Sequence, residues 1–337
     1  MYTTYFNDVN IFQKYFYVNF GDFISLSNLY SSLDSLPGYS GKKSIVIDAA
    51  SDPWNPEEVK NFLKDCNFSK AISAVLVNEK SFAEKNQNLN FRFFPIWAYR
   101  YACRGRQGGV GSIDNIFLKK RNYKVSCLNR IPKLHRLYTY YWLKQLSWSN
   151  EVYLSFHGTI FEDSSARTEL TLEKINQQLG STVADFFSTQ ADSFPIKNQQ
   201  DYNWGEQYIH EVNAPAYIDC YSNLCTESSV NYYCPTEKTF KCIIAGNLIF
   251  PVASCGFVTE LLDRGLDINF QGLNLKKLDL TINWKSRITD VLNQLDRVYS
   301  NLEDIWIHNK KSLINNREIL VNGQLENNLL KNIQDHI

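Results

Sequence analysis

Hydrophobic and polar positions along the chain follow two recurring patterns. Short apolar runs rich in β-branched residues are followed, after a polar turn, by stretches with apolar residues at helical spacing. In the first part of the chain the apolar runs cover residues 44–48, 71–77 and 91–98, and Asn55 and Pro56 are typical of a helix start between the first two. This alternation predicts βαβ units and a largely parallel sheet.

The same pattern resumes in the second part of the chain. Predicted strands cover residues 123–128, 151–156, 216–221 and 248–253. One predicted helix begins at Pro132, and three others cover residues 170–179, 236–245 and 258–263. Apolar residues at helical spacing from Ile288 to Ile305 predict one long helix. The first 40 residues give no assignable pattern.

Chain length and glycine content predict the domain organisation. The 337 residues correspond to about two domains. Glycines at 105–111 predict a flexible loop or domain junction near 103–115. We therefore expect an N-terminal α/β domain at 1–115, a C-terminal α/β domain at 116–310 and a helical tail at 311–337.

Composition excludes several classes of protein. With 44% hydrophobic and 14% aromatic residues, the chain can bury two ordinary cores, so it is not disordered, collagen-like or built from repeats. The 35 basic and 35 acidic residues cancel, so a charged partner must be met by a local patch. No apolar run reaches about 18 residues and no signal peptide is visible, so we expect a soluble cytoplasmic protein without a membrane span.

Cysteine and histidine spacing gives no indication of a metal site. The eight cysteines contain no C-x-x-C pair and several lie in apolar runs, which favours buried reduced thiols over a disulfide framework. The five histidines lack the spacing typical of zinc ligands. We expect no bound metal and no resident cofactor.

A possible anion site lies at the start of the helix predicted at 236–245. Thr236 after Pro235 is typical of an N-cap and places Glu237 and Lys238 in the first turn. A first-turn lysine is unfavourable beside the positive end of the helix dipole unless an anion binds there, so Lys238 and Lys241 favour a diphosphate. The Glu237 carboxylate can accept hydrogen bonds from two ribose hydroxyls. The alternative is an ordinary capped surface helix.

A second basic turn follows the strand at 123–128. Asn129 and Arg130 are predicted to lie beyond the carboxyl end of this strand, where α/β folds bind ligands. Arg130 can clamp a phosphate with two hydrogen bonds, and Lys133 and Arg136 lie within about one helical turn. The alternative is a solvated basic helix start.

The residues of these two turns resemble a known family. Segment 234–265, with Thr236-Glu237-Lys238, Ala245-Gly246 and the strand Leu248 to Val252, resembles the donor-binding half of GT-B fold glycosyltransferases, especially fucosyltransferase-like and exostosin-like proteins. The patterns N-R-x-P-x-x-H-R at 129–136 and T-E-K-x-x-K at 236–241, with an arginine near 287 followed by a long helix, are similar to phage and cyanobacterial glycosyltransferases. The resemblance covers about 120–310, and the N-terminal third shows no comparable match.

The resemblance implies two Rossmann-like domains facing a cleft and a UDP- or GDP-sugar as co-substrate. Glu237 would bind the ribose, and Tyr221 or Asn223 would approach the base. The diphosphate would be bound by basic side chains, namely Arg130, Lys133, Arg136, Lys238 and Lys241. Enzymes of this kind work without a bound metal, and an inverting one needs a carboxylate base. Our candidates for the base are Asp48 and, second, Asp52.

The acceptor is predicted from a local excess of positive charge. Segment 100–136 carries ten basic residues against one acidic residue, a net charge of +9. The basic residues left over from the donor site are Arg100, Arg104, Arg106, Lys119, Lys120 and Arg121. They suit a DNA backbone, with a flipped hydroxymethylcytosine of phage DNA as the leading acceptor. The alternatives are a glycan or lipopolysaccharide acceptor, a solvated loop, and a non-catalytic nucleotide-sugar- or DNA-binding module.

Overall fold

The structure is a computed structural model of the chain. The residues it describes are 16–30, 32, 45–49, 56–66, 68–77, 80–93, 116–129, 132–156, 170–190, 194, 215–322 and 324. The chain divides into two compact units, one formed by residues 1–103 and 323–337 and the other by residues 104–322. The first boundary lies after residue 103, at the start of the glycine-rich segment 103–115, whereas we expected it after residue 115. The second unit extends through residue 322, so the boundary expected at 310 lies inside it.

The first unit contains a four-stranded parallel sheet in the order β1-β2-β3-β4. Its described elements, in chain order, are β1 (Phe16–Asn19), α1 (Phe20–Leu29), β2 (Ile45–Asp48), α2 (Pro56–Lys64), β3 (Ile72–Val77), α3 (Lys80–Lys85) and β4 (Phe91–Phe93). Strands β2 and β3 and helix α2 confirm the sequence prediction. The pattern failed to reveal β1 and α1. Strand β4 begins at residue 91 as predicted, and positions 94–98 of that prediction lie outside the described residues.

The second unit is built on four parallel strands. They are β5 (Tyr123–Asn129), β6 (Tyr153–Phe156), β7 (Cys220–Thr226) and β8 (Leu248–Val252), and they lie in the order β6-β5-β7-β8. All seven residues of β7 and all five of β8 are buried. From β5 the chain continues to one side of the sheet, and from β7 to the other, so the strand order reverses between them.

Helices surround this second sheet. They are α4 (Leu134–Lys144), α5 (Leu172–Leu179), α6 (Ser181–Gln190), α7 (Pro215–Ile218), α8 (Glu237–Ile244), α9 (Phe257–Asp263), α10 (Leu275–Leu278), α11 (Trp284–Val298), α12 (Leu302–His308) and α13 (Lys310–Val321). Helix α4 packs against α11, and α8 packs against α13. Helix α13, expected in a separate tail, belongs to this core because Arg317 Nη1 donates to the carbonyl of Ile244 at 2.7 Å.

Two predicted elements of the second unit differ from the structure. Residues 216–221 do not form one strand: the chain makes the short helix α7, and β7 begins only at Cys220. Pro215 explains the difference, since a proline at the first helical position is compatible with a helix but donates no strand hydrogen bond. The predicted long helix at 288–305 is also divided, because a 3₁₀ turn at Tyr299–Asn301 separates α11 from α12.

The described architecture is therefore mixed α/β with parallel sheets, which confirms the predicted class. Among the described residues, no helix is both long and apolar enough to cross a membrane.

Candidate functional site

The candidate site lies at the carboxyl ends of β5 and β7, where the strand order reverses. In open parallel sheets this is the position at which ligands bind. Asn129 ends β5 and Thr226 ends β7, and the Thr226 hydroxyl donates to Asn129 Oδ1 at 2.6 Å. Asn129 is fully buried. Its side chain therefore joins the two strand ends. We expected Asn129 to contact the ligand, but in the structure its side chain is buried and bound to Thr226.

Glu227 follows β7 directly and is fully buried. Its carboxylate accepts hydrogen bonds from the Thr236 N–H at 3.1 Å, from Thr239 Oγ1 at 2.5 Å and from the Thr236 hydroxyl. The sequence analysis missed this residue. The available signal was an acidic residue directly after a buried apolar strand, a position where an uncompensated charge is costly and therefore needs partners.

Three side chains from the start of α4 hold the backbone that follows β7. Lys133 Nζ donates to the carbonyl of Ser228 at 2.8 Å. His135 Nε2 lies 2.9 Å from the carbonyl oxygen of Glu227, and Arg136 Nη2 donates to the same oxygen at 3.4 Å. Because a carbonyl oxygen only accepts, His135 carries its proton on Nε2. Burial, reinforced by the charge of Arg136, lowers the pKa of His135 to about 3, so the imidazole is neutral at pH 7.

The first turn of α8 carries an ion pair. Lys238 Nζ lies 2.8 Å from Glu237 Oε1 and donates to Thr236 Oγ1 at 3.1 Å. The side chains of Glu237 and Lys238 keep 22% and 15% of their surface exposed, so both are accessible from outside. Burial favours the neutral carboxyl, but Lys238 and Lys241 overcome this and lower the pKa of Glu237 to about 2. Glu237 is therefore ionised at neutral pH.

Lys241 lies one turn further along α8 and is buried. Its Nζ lies 5.5 Å from the ring centroid of Tyr217, within the range of a cation–π contact. Lys241, which was predicted to favour a diphosphate, therefore contributes positive potential to the site from a buried position.

Among the described side chains, the site carries more positive than negative charge. Its cations are Lys133, Arg136, Lys238 and Lys241, and its carboxylates are Glu227 and Glu237, which leaves an excess of two positive charges in this part of the structure. Burial, then the charges of Arg136 and Lys238, lower the pKa of Lys133 to about 8. Burial also lowers the pKa of Arg136. A lysine with a pKa this low is destabilised in its charged form, and a bound anion would relieve that destabilisation.

Tyr221 does not reach this site, which corrects its predicted role at the nucleotide base. It lies near the amino end of β7, and a strand of this length places it roughly 15 Å from the carboxyl end. Its ring is buried at a centroid distance of 5.6 Å from Trp306. Asn223 is also inside the strand, where its Nδ2 donates to Ser126 Oγ at 2.7 Å. Strand β7 continues to Thr226, five residues beyond the predicted end at 221, so both side chains lie within the strand and not after it.

The described basic residues of the predicted acceptor surface occupy different environments. Lys119 is 55% exposed and lies 2.7 Å from Asp219 Oδ1, and Lys120 is exposed. Arg121, in contrast, is only 2% exposed. Its guanidinium donates to the carbonyls of Cys220 at 2.5 Å and Ala245 at 2.6 Å, so it is a structural residue and does not face a DNA backbone.

Arg287, the arginine that precedes the predicted long helix, also binds backbone carbonyls. Its Nη2 donates to the carbonyls of Ala253 at 2.7 Å and Val230 at 2.9 Å. It thereby joins the end of β8 to the loop that follows β7. It stabilises the loop that forms one side of the site.

Several predicted site residues lie outside the described part of the chain. They are Arg100, Arg104, Arg106, Arg130 and Asp52, together with the side chain of Asp48, whose backbone ends β2.

Comparisons with models of protein families, with curated proteins and with solved structures found no match. Within the described ranges, no group of three or more histidine, cysteine, aspartate or glutamate side chains is arranged to hold a metal ion. The function of the site is therefore argued from its geometry and charge.

Proposed function

We propose that this chain is a glycosyltransferase that uses a nucleoside-diphosphate sugar, and that its second unit binds the donor. In this proposal the two units are Rossmann-like domains that face a cleft, as in the GT-B architecture. The observation that carries the proposal is the cluster of Lys133, Arg136, Lys238 and Lys241 at the carboxyl ends of β5 and β7, next to the start of α8, where the described cations exceed the described carboxylates by two. A diphosphate would neutralise this excess.

The individual roles follow from position and exposure. The Lys238 ammonium would bind the diphosphate, supported by the positive potential of Lys133 and Arg136. The Glu237 carboxylate, ionised and partly exposed, would accept hydrogen bonds from the ribose hydroxyls. Arg130, beside Asn129 in the chain, is proposed as a further phosphate ligand.

The proposed reaction transfers the sugar to a hydroxyl. The bond between the anomeric carbon and the diphosphate oxygen breaks, and its electron pair leaves with the diphosphate. A bond forms between the anomeric carbon and the acceptor oxygen, whose proton passes to a carboxylate base. The basic cluster stabilises the negative charge on the leaving diphosphate. Asp48, which ends β2, is our candidate for the base, with Asp52 second.

The proposed acceptor is a hydroxyl group on DNA or on a carbohydrate. Hydroxymethylcytosine in DNA is the leading acceptor, and a glycan or lipopolysaccharide core is the alternative. Arg121 gives no support to a DNA acceptor, because its guanidinium is bound to backbone carbonyls inside the second unit. Lys119 and Lys120 remain on the surface and are compatible with either acceptor.

The experiment measures nucleotide release from a panel of UDP- and GDP-sugars, with and without hydroxymethylcytosine-containing DNA or a lipopolysaccharide core. The variants are Lys238→Ala and, as a control of the same type on the surface, Lys120→Ala. We expect Lys238→Ala to weaken binding of the preferred nucleoside diphosphate by about tenfold or more and to lower release, because it removes a charge-assisted contact. Lys120→Ala should leave donor binding unchanged.

The acceptor that stimulates release identifies the substrate class. Binding of a nucleoside diphosphate without turnover on any acceptor would contradict the transferase proposal and indicate a nucleotide-sugar-binding module. Strong salt-dependent DNA binding that Lys238→Ala leaves intact, with no nucleotide binding, would indicate a DNA-binding protein instead.

A further inference from the structure

Glu227 connects the end of β7 to the first turn of α8. Its buried carboxylate receives three hydrogen bonds, two from Thr236 and one from Thr239. Thr236 directly precedes Glu237 and Lys238 in the chain. The orientation of the turn that presents the Glu237–Lys238 pair therefore depends on these three bonds.

The Thr236 hydroxyl binds other side chains and does not cap the helix that it precedes. Thr236 occupies the N-cap position of α8, but its side chain makes no capping hydrogen bond to the helix. Its hydroxyl donates to Glu227 and accepts from Lys238 Nζ at 3.1 Å. Glu227 therefore sets the position of the Lys238 ammonium through one intervening hydroxyl.

The backbone of the same residue is held from the other side of the site. The carbonyl of Glu227 accepts from His135 and Arg136, and the next carbonyl accepts from Lys133. Residue 227 thus lies between the basic side chains of α4 and the ion pair of α8. A displacement of this residue would change the spacing between the two groups of cations.

The next helix at the same sheet edge offers a contrast. Asp279 accepts hydrogen bonds directly from the first-turn N–H groups of α9, at 3.0 Å from Val258 and 2.9 Å from Thr259. It also accepts from the Thr259 hydroxyl at 3.0 Å, so its carboxylate caps α9 through the first turn of the helix itself. Glu227 instead accepts from the N–H and hydroxyl of the N-cap residue Thr236 and from the hydroxyl of Thr239 in the first turn of α8, and it binds no N–H group of the helix itself.

We infer that Glu227 is a positioning residue for the diphosphate site, which holds Lys238 against Lys133 and Arg136 through Thr236 and Thr239. This inference rests on the proposed donor site. Glu227 is buried and does not itself need to touch the nucleotide. Its role is to fix the spacing of cations on two different helices.

Charge and geometry predict opposite results when Glu227 is changed. Replacement by glutamine removes a negative charge next to the proposed anion, so electrostatics alone would tighten binding. A positioning role predicts weaker binding, since one amide oxygen cannot replace two carboxylate oxygens that accept three hydrogen bonds. The sign of the affinity change therefore separates the two explanations.

The test measures the affinity of the full-length protein for UDP and GDP by calorimetry, with thermal melting to check folding. The variants are Glu227→Gln and the double variant Thr236→Val/Thr239→Val, which keeps the Glu227 charge but removes its hydroxyl donors. Asp279→Asn is the matched control, a carboxylate at the same edge that caps α9. We expect about tenfold weaker binding for both test variants and no change for the control.

Each other result has a separate meaning. Tighter binding by Glu227→Gln, or a lower melting temperature with unchanged affinity in both test variants, would overturn the positioning role while leaving the donor site in place. Equal weakening in Asp279→Asn would also overturn it, because the effect would then be a general loss of order at this edge. Failure of the wild-type protein to bind either nucleotide would overturn the proposed function itself.

Discussion

The two ends of the second sheet both bury an arginine, but the two arginines have different surroundings. At the amino end, Arg121 donates to backbone carbonyls and lies 4.8 Å from the ring of Trp306. At the carboxyl end, Arg136 lies among other charged side chains, including Lys133, Glu227 and Glu237. Burial lowers the pKa of both guanidinium groups.

The amino end is closed by aromatic packing. The rings of Phe117 and Trp306 stack at a centroid distance of 5.9 Å, and Trp306 Nε1 donates to the carbonyl of Gly246 at 2.7 Å. Gly246 adopts a φ of 63°, and a Cβ at this position would lie 2.4 Å from the Phe117 ring. A ligand would have to displace this packing, so the amino end is structural.

The comparison shows that a count of basic residues does not locate an anion site. Arg121 and Arg136 contribute equally to the net charge of +9 in segment 100–136. Both arginines donate to backbone carbonyls, but Arg136 also lies in a cluster in which, among the described side chains, lysines and arginine outnumber carboxylates. What matters is which groups surround each cation, and this depends on the end of the sheet at which it lies.

The largest effect that tests this comparison is expected for Arg121→Ala. The change removes charge-assisted hydrogen bonds to the carbonyls of Cys220 and Ala245 and leaves buried acceptors without a donor, so the free energy of unfolding should fall by about 3 kcal/mol. Urea denaturation measures this loss. Arg121→Lys should lower the free energy of unfolding by less than Arg121→Ala, because lysine keeps the charge and one donor group. It should still lower it, because lysine lacks the planar guanidinium that reaches both carbonyls.

At temperatures where Arg121→Ala is folded, its affinity for UDP and GDP should equal that of the wild type. A loss of nucleotide binding without a loss of stability would mean that the two ends of the sheet do not have the separate roles inferred from their surroundings.

Much of the fold could be predicted from the sequence because its signals are local. The β-branched run before Asp48 and the proline that starts α2 predict a strand and a helix without tertiary information. The break between α11 and α12 could not be predicted, because the apolar spacing continues through it. It coincides with long-range contacts of Tyr299, whose ring stacks on Trp148 at 4.0 Å and whose hydroxyl donates to Glu151 at 2.7 Å.

The candidate site was predictable only in part. Lys133, Arg136, Glu237 and Lys238 follow two strand ends, and the parallel sheet brings those ends to the same edge. Glu227 could not be assigned a role because its partners Thr236 and Thr239 lie nine and twelve positions away, on the following helix. Tyr221 was misplaced because β7 continues to Thr226, beyond the predicted end of the strand at 221.

An effect of intermediate size is expected from pH at the carboxyl end. Burial lowers the pKa of Lys133 to about 8, and a bound diphosphate would raise it again. Lys133 therefore loses its charge as pH rises through 8, and affinity for UDP or GDP should fall by about tenfold between pH 7 and pH 9. The diphosphate gains no compensating charge, since its last ionisation occurs near pH 6. Calorimetry across this pH range measures the change.

Lys133→Arg is the matched control for this pH dependence. Arginine keeps its charge throughout the range, so the variant should bind the diphosphate with an affinity that stays nearly constant from pH 7 to pH 9. The same decrease in wild type and variant would place the titrating group elsewhere.

The smallest effect is expected for Lys119→Ala, on the exposed surface at the amino end of the sheet, where Asp219 directly precedes β7. Lys119 is more than half exposed and pairs with Asp219 at 2.7 Å, and exposed ion pairs contribute between zero and about 1 kcal/mol. The free energy of unfolding should change by less than about 1 kcal/mol, and donor binding should not change. If DNA is the acceptor, the salt dependence of DNA binding should become weaker by the equivalent of about one phosphate contact. If DNA binding is unchanged in this variant and turnover on a glycan is intact, the acceptor is a carbohydrate. The exposed lysines at this surface would then have no role in binding the acceptor.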